Sequence, residues 1–201
     1  MDIPRRQASR RRYDGLTALS VSCQGGNVEC VTLLLNGGAE IDRLDNEGVT
    51  PLFYASEKGH LGAATLLLDR GAAVNLSHRG GNAPLFGASQ KGHVDTVRLL
   101  LDRGADFALE HEQASTALFP ASACGHVDVV RLLLDRGAVL DHQMGGATAL
   151  LLACFKGHVG VMRLLLDRGA KVNRAADLSR GTPLYWAASK TLSRRDEARL
   201  G

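Results

Sequence analysis

Aromatic residues are scarce in this chain, with one Trp, three Tyr and five Phe among 201 residues. The hydrophobic content is nevertheless that of a globular protein, at 45%, so a core must be built mainly from Leu, Val and Ala. Small apolar side chains favour thin, closely stacked helical layers. An excess of one charge is also missing: 24 basic and 21 acidic residues leave a formal net charge of +3, too balanced for the total alone to predict nucleic-acid binding, and nucleic acid is not the expected partner. No apolar run approaches the roughly 18 residues of a membrane span, and no apolar secretory segment follows the N-terminal arginines. The expectation is a monomeric intracellular protein, cytoplasmic or nuclear, with no transmembrane segment. Cys23, Cys30, Cys124 and Cys154 form no CxxC pair and have no His at zinc-finger spacing, so they read as reduced, mostly packed thiols.

What the chain does have is a repeat. The run Leu-Leu-Leu-Asp-Arg-Gly-Ala ends at Ala72, Ala105, Ala138 and Ala170, and a variant ends at Ala39, with successive spacings of 33, 33, 33 and 32. A Gly-His pair keeps the same period at Gly59-His60, Gly92-His93, Gly125-His126 and Gly157-His158, with Gly26-Asn27 as the first copy. A third element, Thr-Pro-Leu followed by Ala, stands at Thr50 and Thr182, with looser copies from Thr17, Ala83, Thr116 and Thr148.

These motifs and their period resemble the ankyrin repeat family from Tyr13 to about Lys190. The resemblance implies an all-α solenoid of stacked helix-turn-helix units with protruding β-turn or hairpin loops, and a non-enzymatic module or adaptor that binds a partner protein on its concave face. Repeats are expected at about 13–44, 45–77, 78–110, 111–143 and 144–176, with a partial one at 177–190. A basic tail, 1–12, and a polar cap or tail, 191–201, flank them. The family's usual His after the motif Leu is absent, replaced by Ser20, Phe53, Phe86, Phe119, Leu151 and Tyr185.

Each motif residue has a physical reason. Thr caps a first helix by accepting a backbone N–H, and Pro fits the first helical position because its missing N–H would be unpaired there anyway. The Gly of Gly-His ends that helix in the left-handed conformation. The second helix carries Val94, Val97, Leu100 and Leu101, and in the next copy Val127, Val130, Leu133 and Leu134, a one-sided apolar stripe that must be buried against neighbours. Asp95, Arg98 and Asp102, like Asp128, Arg131 and Asp135, are spaced for pairing within one exposed helix surface. The fourth unit departs most from the pattern: Ala114 replaces the turn Gly, and Pro120 is expected to loosen the start of its first helix.

The recurring histidines do not read as metal ligands. Packed helices lie about 8–10 Å apart, whereas zinc ligands converge to about 2 Å from one ion. No cofactor is implied. Cys23 and Cys154 share one repeat position where a small packed side chain is expected, and Cys30 aligns with Val129 in the expected core. Cys124 aligns with Lys58, Lys91 and Lys156 and is expected to be accessible.

The resemblance assigns partner contact to first-helix ends and turns. The helix-end pairs are Gln24-Gly25, Glu57-Lys58, Gln90-Lys91, Ala123-Cys124 and Phe155-Lys156. Three lysines at one repeat position form either a stripe that attracts an acidic segment of a partner or ordinary solubilising charge. Tyr54, Phe155 and Trp186 are candidate anchors if they reach the same face, and Trp186 equally suits packing against the terminal helix. The candidate binding residues are thus Tyr54, Glu57, Lys58, Gln90, Lys91, Cys124, Phe155, Lys156 and Trp186. Two alternatives belong to other classes: a tether to nucleic acid or anionic membrane through Arg5, Arg6, Arg10, Arg11 and Arg12, and a thiol enzyme using Cys124.

Overall fold

The structure is a computed structural model that describes residues 15–77, 82–106, 117–143 and 146–172. The basic tail, the polar end, the partial sixth repeat with Trp186, and Ala114 lie outside the described residues. Ten helices are described, and no strand. The first helices of five successive units are α1 (Ala18–Gly25), α3 (Pro51–Glu57), α5 (Pro84–Lys91), α7 (Leu118–Cys124) and α9 (Ala149–Lys156). The second helices are α2 (Val28–Asn36), α4 (Leu61–Asp69), α6 (Val94–Asp102), α8 (Val127–Asp135) and α10 (Val159–Asp167). Each first helix packs on the next first helix and each second on the next second, giving two layers joined within every unit.

Side-chain caps place the first-helix starts. Thr17, Thr50 and Thr148 accept from the backbone N–H of Ser20, Phe53 and Leu151 at 3.0, 3.0 and 3.2 Å, satisfying donors that have no carbonyl inside the helix. Helix α5 starts without a side-chain cap but has Pro84 in its first turn. Helix α7 begins at Leu118, one residue later than its counterparts relative to the motif, behind an Ala117 that supplies no side-chain bond. Pro120 is the third residue of α7 and buried. Its counterparts Val21, Tyr54, Gly87 and Leu152 each donate a backbone N–H to the carbonyl of the motif's first residue, Thr17, Thr50, Ala83 and Thr148, at 3.0 to 3.4 Å. Pro120 has no N–H to make that bond, and α7 loses its first residue as a result.

The core follows the apolar stripes. Leu52, Leu67, Val97, Leu100, Val130, Leu133 and Leu165 are fully buried. Burial of one such side chain contributes about 1.5–3 kcal/mol, and here it depends on the neighbouring unit for cover. That dependence corrects two thiol expectations. Cys30 is exposed although its counterpart Val129 is buried, and Cys154 is exposed although Cys23, at the same repeat position, is buried. Cys30 sits in the first described unit and Cys154 in the last, so each lacks a described neighbour on the side that would cover it.

Three sets of polar contacts tie successive units together. Nε2 of His60, His93, His126 and His158 bonds to the backbone carbonyls of Gln24, Glu57, Gln90 and Ala123 at 2.9 to 3.1 Å. Each ring lies against the preceding unit's glycine. That glycine has a φ between 71° and 81°, and a Cβ on it would fall 2.5 to 2.6 Å from Nδ1 of the next histidine. At the ends of the second helices, Arg103, Arg136 and Arg168 pair with Asp69, Asp102 and Asp135 of the unit before at 2.8 to 2.9 Å, and Arg70 donates to Asn36. Asp102 and Asp135, expected to pair along their own helices, thus pair between units. In the turns, Asp42, Asn75 and Asp141 accept from the backbone N–H of Ala73, Asp106 and Lys171.

Gly92→Ala is expected to destabilise the protein more than Gly71→Ala, measured by urea denaturation with circular dichroism. Both glycines have left-handed φ, which costs about 1–2 kcal/mol for a residue with a Cβ. Only at Gly92 does the new methyl also meet the ring of His126; no described atom lies within 4 Å of a Cβ at Gly71. Equal losses would show that the histidine contact adds nothing.

Candidate protein-binding surface

At the C-terminal ends of the first helices, backbone and side chain have separate tasks. The carbonyls of Gln24, Glu57, Gln90 and Ala123 are held by the next unit's histidine. The side chains of Gln24 and Gln90 remain exposed and those of Glu57, Ala123 and Phe155 half-buried. One residue further on, Gly25, Lys58, Lys91, Cys124 and Lys156 are all exposed. The result is a row of side chains on a fixed backbone spacing.

Charge along the row is uneven. The carboxylate of Glu57 reaches two lysines, with Oε2 3.3 Å from Nζ of Lys58 and Oε1 3.8 Å from Nζ of Lys91 in the next unit. The two lysine side chains are 41% and 47% exposed, against 23% for Glu57. At this exposure such pairs contribute only about 0.2–1 kcal/mol each and are weakened by salt. Lys156 instead lies 5.6 Å from the ring centroid of Phe155, a contact that orients the ammonium without cancelling its charge.

Tyr54 has a structural task. Its hydroxyl donates to Oδ2 of Asp45 at 2.6 Å, while Oδ1 of the same buried carboxylate accepts from the backbone N–H of Glu47 and Val49. Asp45 therefore closes the turn before α3, and Tyr54 fastens that turn to the helix. Burial first, and then the hydrogen bond and negative charge of Asp45, hold the phenol pKa well above its ordinary value. Sequence reasoning did not single out Asp45. Its signal was local, an Asp four residues ahead of a backbone N–H in a Gly-containing turn.

Of the named candidates, Glu57, Lys58 and Lys91 are brought into one ion-paired group and Phe155 with Lys156 into a second. Gln90 and Cys124 stand in the row between them, and Tyr54 is tied to the turn. Trp186 lies outside the described residues. The histidine that follows Cys124 in the next unit, His158, has its Nε2 on the Ala123 carbonyl, so it is not placed as a base for that thiol. No group of three or more His, Cys, Asp or Glu suited to a metal occurs among the described residues.

The family model described as ankyrin repeats matches the chain in three copies, over residues 3–78, 73–144 and 139–198. Among solved structures, the crystal structure of the human ASB11 ankyrin repeat domain superposes with a TM-score of 0.76 and 28% sequence identity, covering 80% of this chain and 72% of that one. No curated protein matches the chain.

The thiols flanking this surface give a direct check. Native protein treated with maleimide is expected to be labelled at Cys30, Cys124 and Cys154 and spared at Cys23, as read by peptide mass spectrometry. Burial pushes the Cys23 thiol from 9.0 up to about 12. Above pH 9 the unfolded chain therefore ionises this thiol while the folded chain does not, and rising pH favours unfolding until the folded pKa is passed. Stability should fall between about pH 9 and 12. Cys23→Ser, which installs the residue found at the equivalent Ser56, Ser89 and Ser122, should reduce that slope.

Proposed function

The chain belongs to the ankyrin repeat family, and from that premise we propose that it acts as a non-enzymatic adaptor whose concave face, formed by first-helix ends and turns, holds one protein partner. Ankyrin repeats are in general protein–protein interaction modules. The observation that carries the reading to this surface is the exposed row from Lys58 to Lys156, set as far as Cys124 on carbonyls locked by the histidines of successive units. A fixed row lowers the ordering cost of association. Its lysines suit a partner that presents an acidic segment, and attraction between the two speeds encounter more than it deepens affinity. The protein is read as an intracellular monomer; among the described residues no helix is long and apolar enough to cross a membrane.

The test compares the parent chain with a triple variant, Lys58→Glu, Lys91→Glu and Lys156→Glu, in affinity capture from a cell extract, after circular dichroism shows both to be folded. A partner retained by the parent and lost by the variant is the expected result. Retention by both would move recognition to the turns, the opposite face or the arginine tail.

A further inference from the structure

Resting on that reading of the row, we infer that Glu57 is a built-in competitor for the partner's carboxylates, so that the acidic segment is gripped most strongly at Lys156 and only by displacement of Glu57 at Lys58 and Lys91. Sequence position alone makes the three lysines equivalent. The geometry does not. One carboxylate spans the first two, bridging adjacent units with both of its oxygens. An incoming carboxylate at Lys58 or Lys91 must share or replace contacts that already exist. Among the described residues the group beside Lys156 is the Phe155 ring and no carboxylate pairs with its ammonium, which leaves that charge for an external anion.

The spacing of the partner's acidic residues follows from the stack. From Lys91 to Lys156 is two repeats, with the uncharged Cys124 between them. At about 8–10 Å per packed helix the span is roughly 16–20 Å, which an extended chain at about 3.3 Å per residue covers in five or six residues. The occupant is therefore a linear acidic segment with carboxylates about five or six residues apart. A nucleic acid fits less well, because Glu57 places negative charge within the row and no arginine stands in it to meet phosphates bidentately.

The full chain is titrated, at low ionic strength, against a fluorescein-labelled peptide carrying two glutamates about six residues apart in a Gly-Ser background, and fluorescence anisotropy is read. Controls are the glutamine version of the peptide and a single-stranded oligonucleotide of equal charge. Glu57→Gln is expected to tighten binding about threefold and Lys156→Gln to weaken it about threefold, a size in keeping with exposed ion pairs. The glutamine peptide should bind neither. His93 is held by the backbone carbonyl of Glu57, not by its carboxylate, so Glu57→Gln leaves the stacking contact in place, which thermal denaturation checks. Unchanged or weaker binding by Glu57→Gln overturns the inference, as does preference for the oligonucleotide or no binding by the peptide at all. The adaptor reading would survive any of these if the triple lysine variant still loses its protein partner.

Discussion

Everything in this array depends on one contact, an imidazole reaching back to a backbone carbonyl across a glycine that has no Cβ to obstruct it. The last carbonyls of a helix have no partner within the helix, and an unpaired one against a packed neighbour would be costly. The next unit's histidine supplies the donor. Because its ring lies where the glycine's side chain would be, the glycine both reverses the chain and makes the seat. Four successive units repeat the arrangement, and the helix ends are held at a common spacing as a result. The second-helix edge is tied more softly, through arginine–aspartate pairs that stand half in solvent.

The sequence made the period, the helix starts and the reversing glycines legible because each is a local rule. Threonine caps at Thr17, Thr50 and Thr148 need only the residues that follow them. Contacts between units were harder to read. Histidine recurred visibly after each glycine, but its acceptor is a backbone carbonyl some 36 residues earlier, and a carbonyl leaves no mark in a sequence. Asp102 had a plausible partner at Arg98 on its own helix, and the actual one, Arg136, became evident only with the stacking. Cys30 and Cys154 show the limit of alignment: a position is core only where a neighbouring unit covers it.

The candidate surface was legible in its location, and in its balance only as far as the offset of Lys58 by the adjacent Glu57. Aligned variation at the helix ends brought out Lys58, Lys91, Cys124 and Lys156 as one row, and the structure exposes all four. That Glu57 touches two of the lysines depends on its rotamer and on the neighbouring helix, neither of which repeat alignment encodes. Tyr54 was expected among the anchors on condition that it reached the binding face, and its hydroxyl is engaged by Asp45. A scarce residue type was spent on securing a turn.

The histidine and arginine ties between units run one way, whereas the turn side chains Asp42, Asn75 and Asp141 reach forward. Each unit reaches back through its own histidine and arginine, and the first described unit has Asn27 and Gly37 at those two places. Asn27 caps its own helix, accepting from the N–H of Cys30 at 2.9 Å, where the later histidines give no side-chain cap and turn to the unit before. Gene duplication could therefore lengthen such a stack from the inside, since every copied interior unit arrives with the means to fasten itself to whatever precedes it.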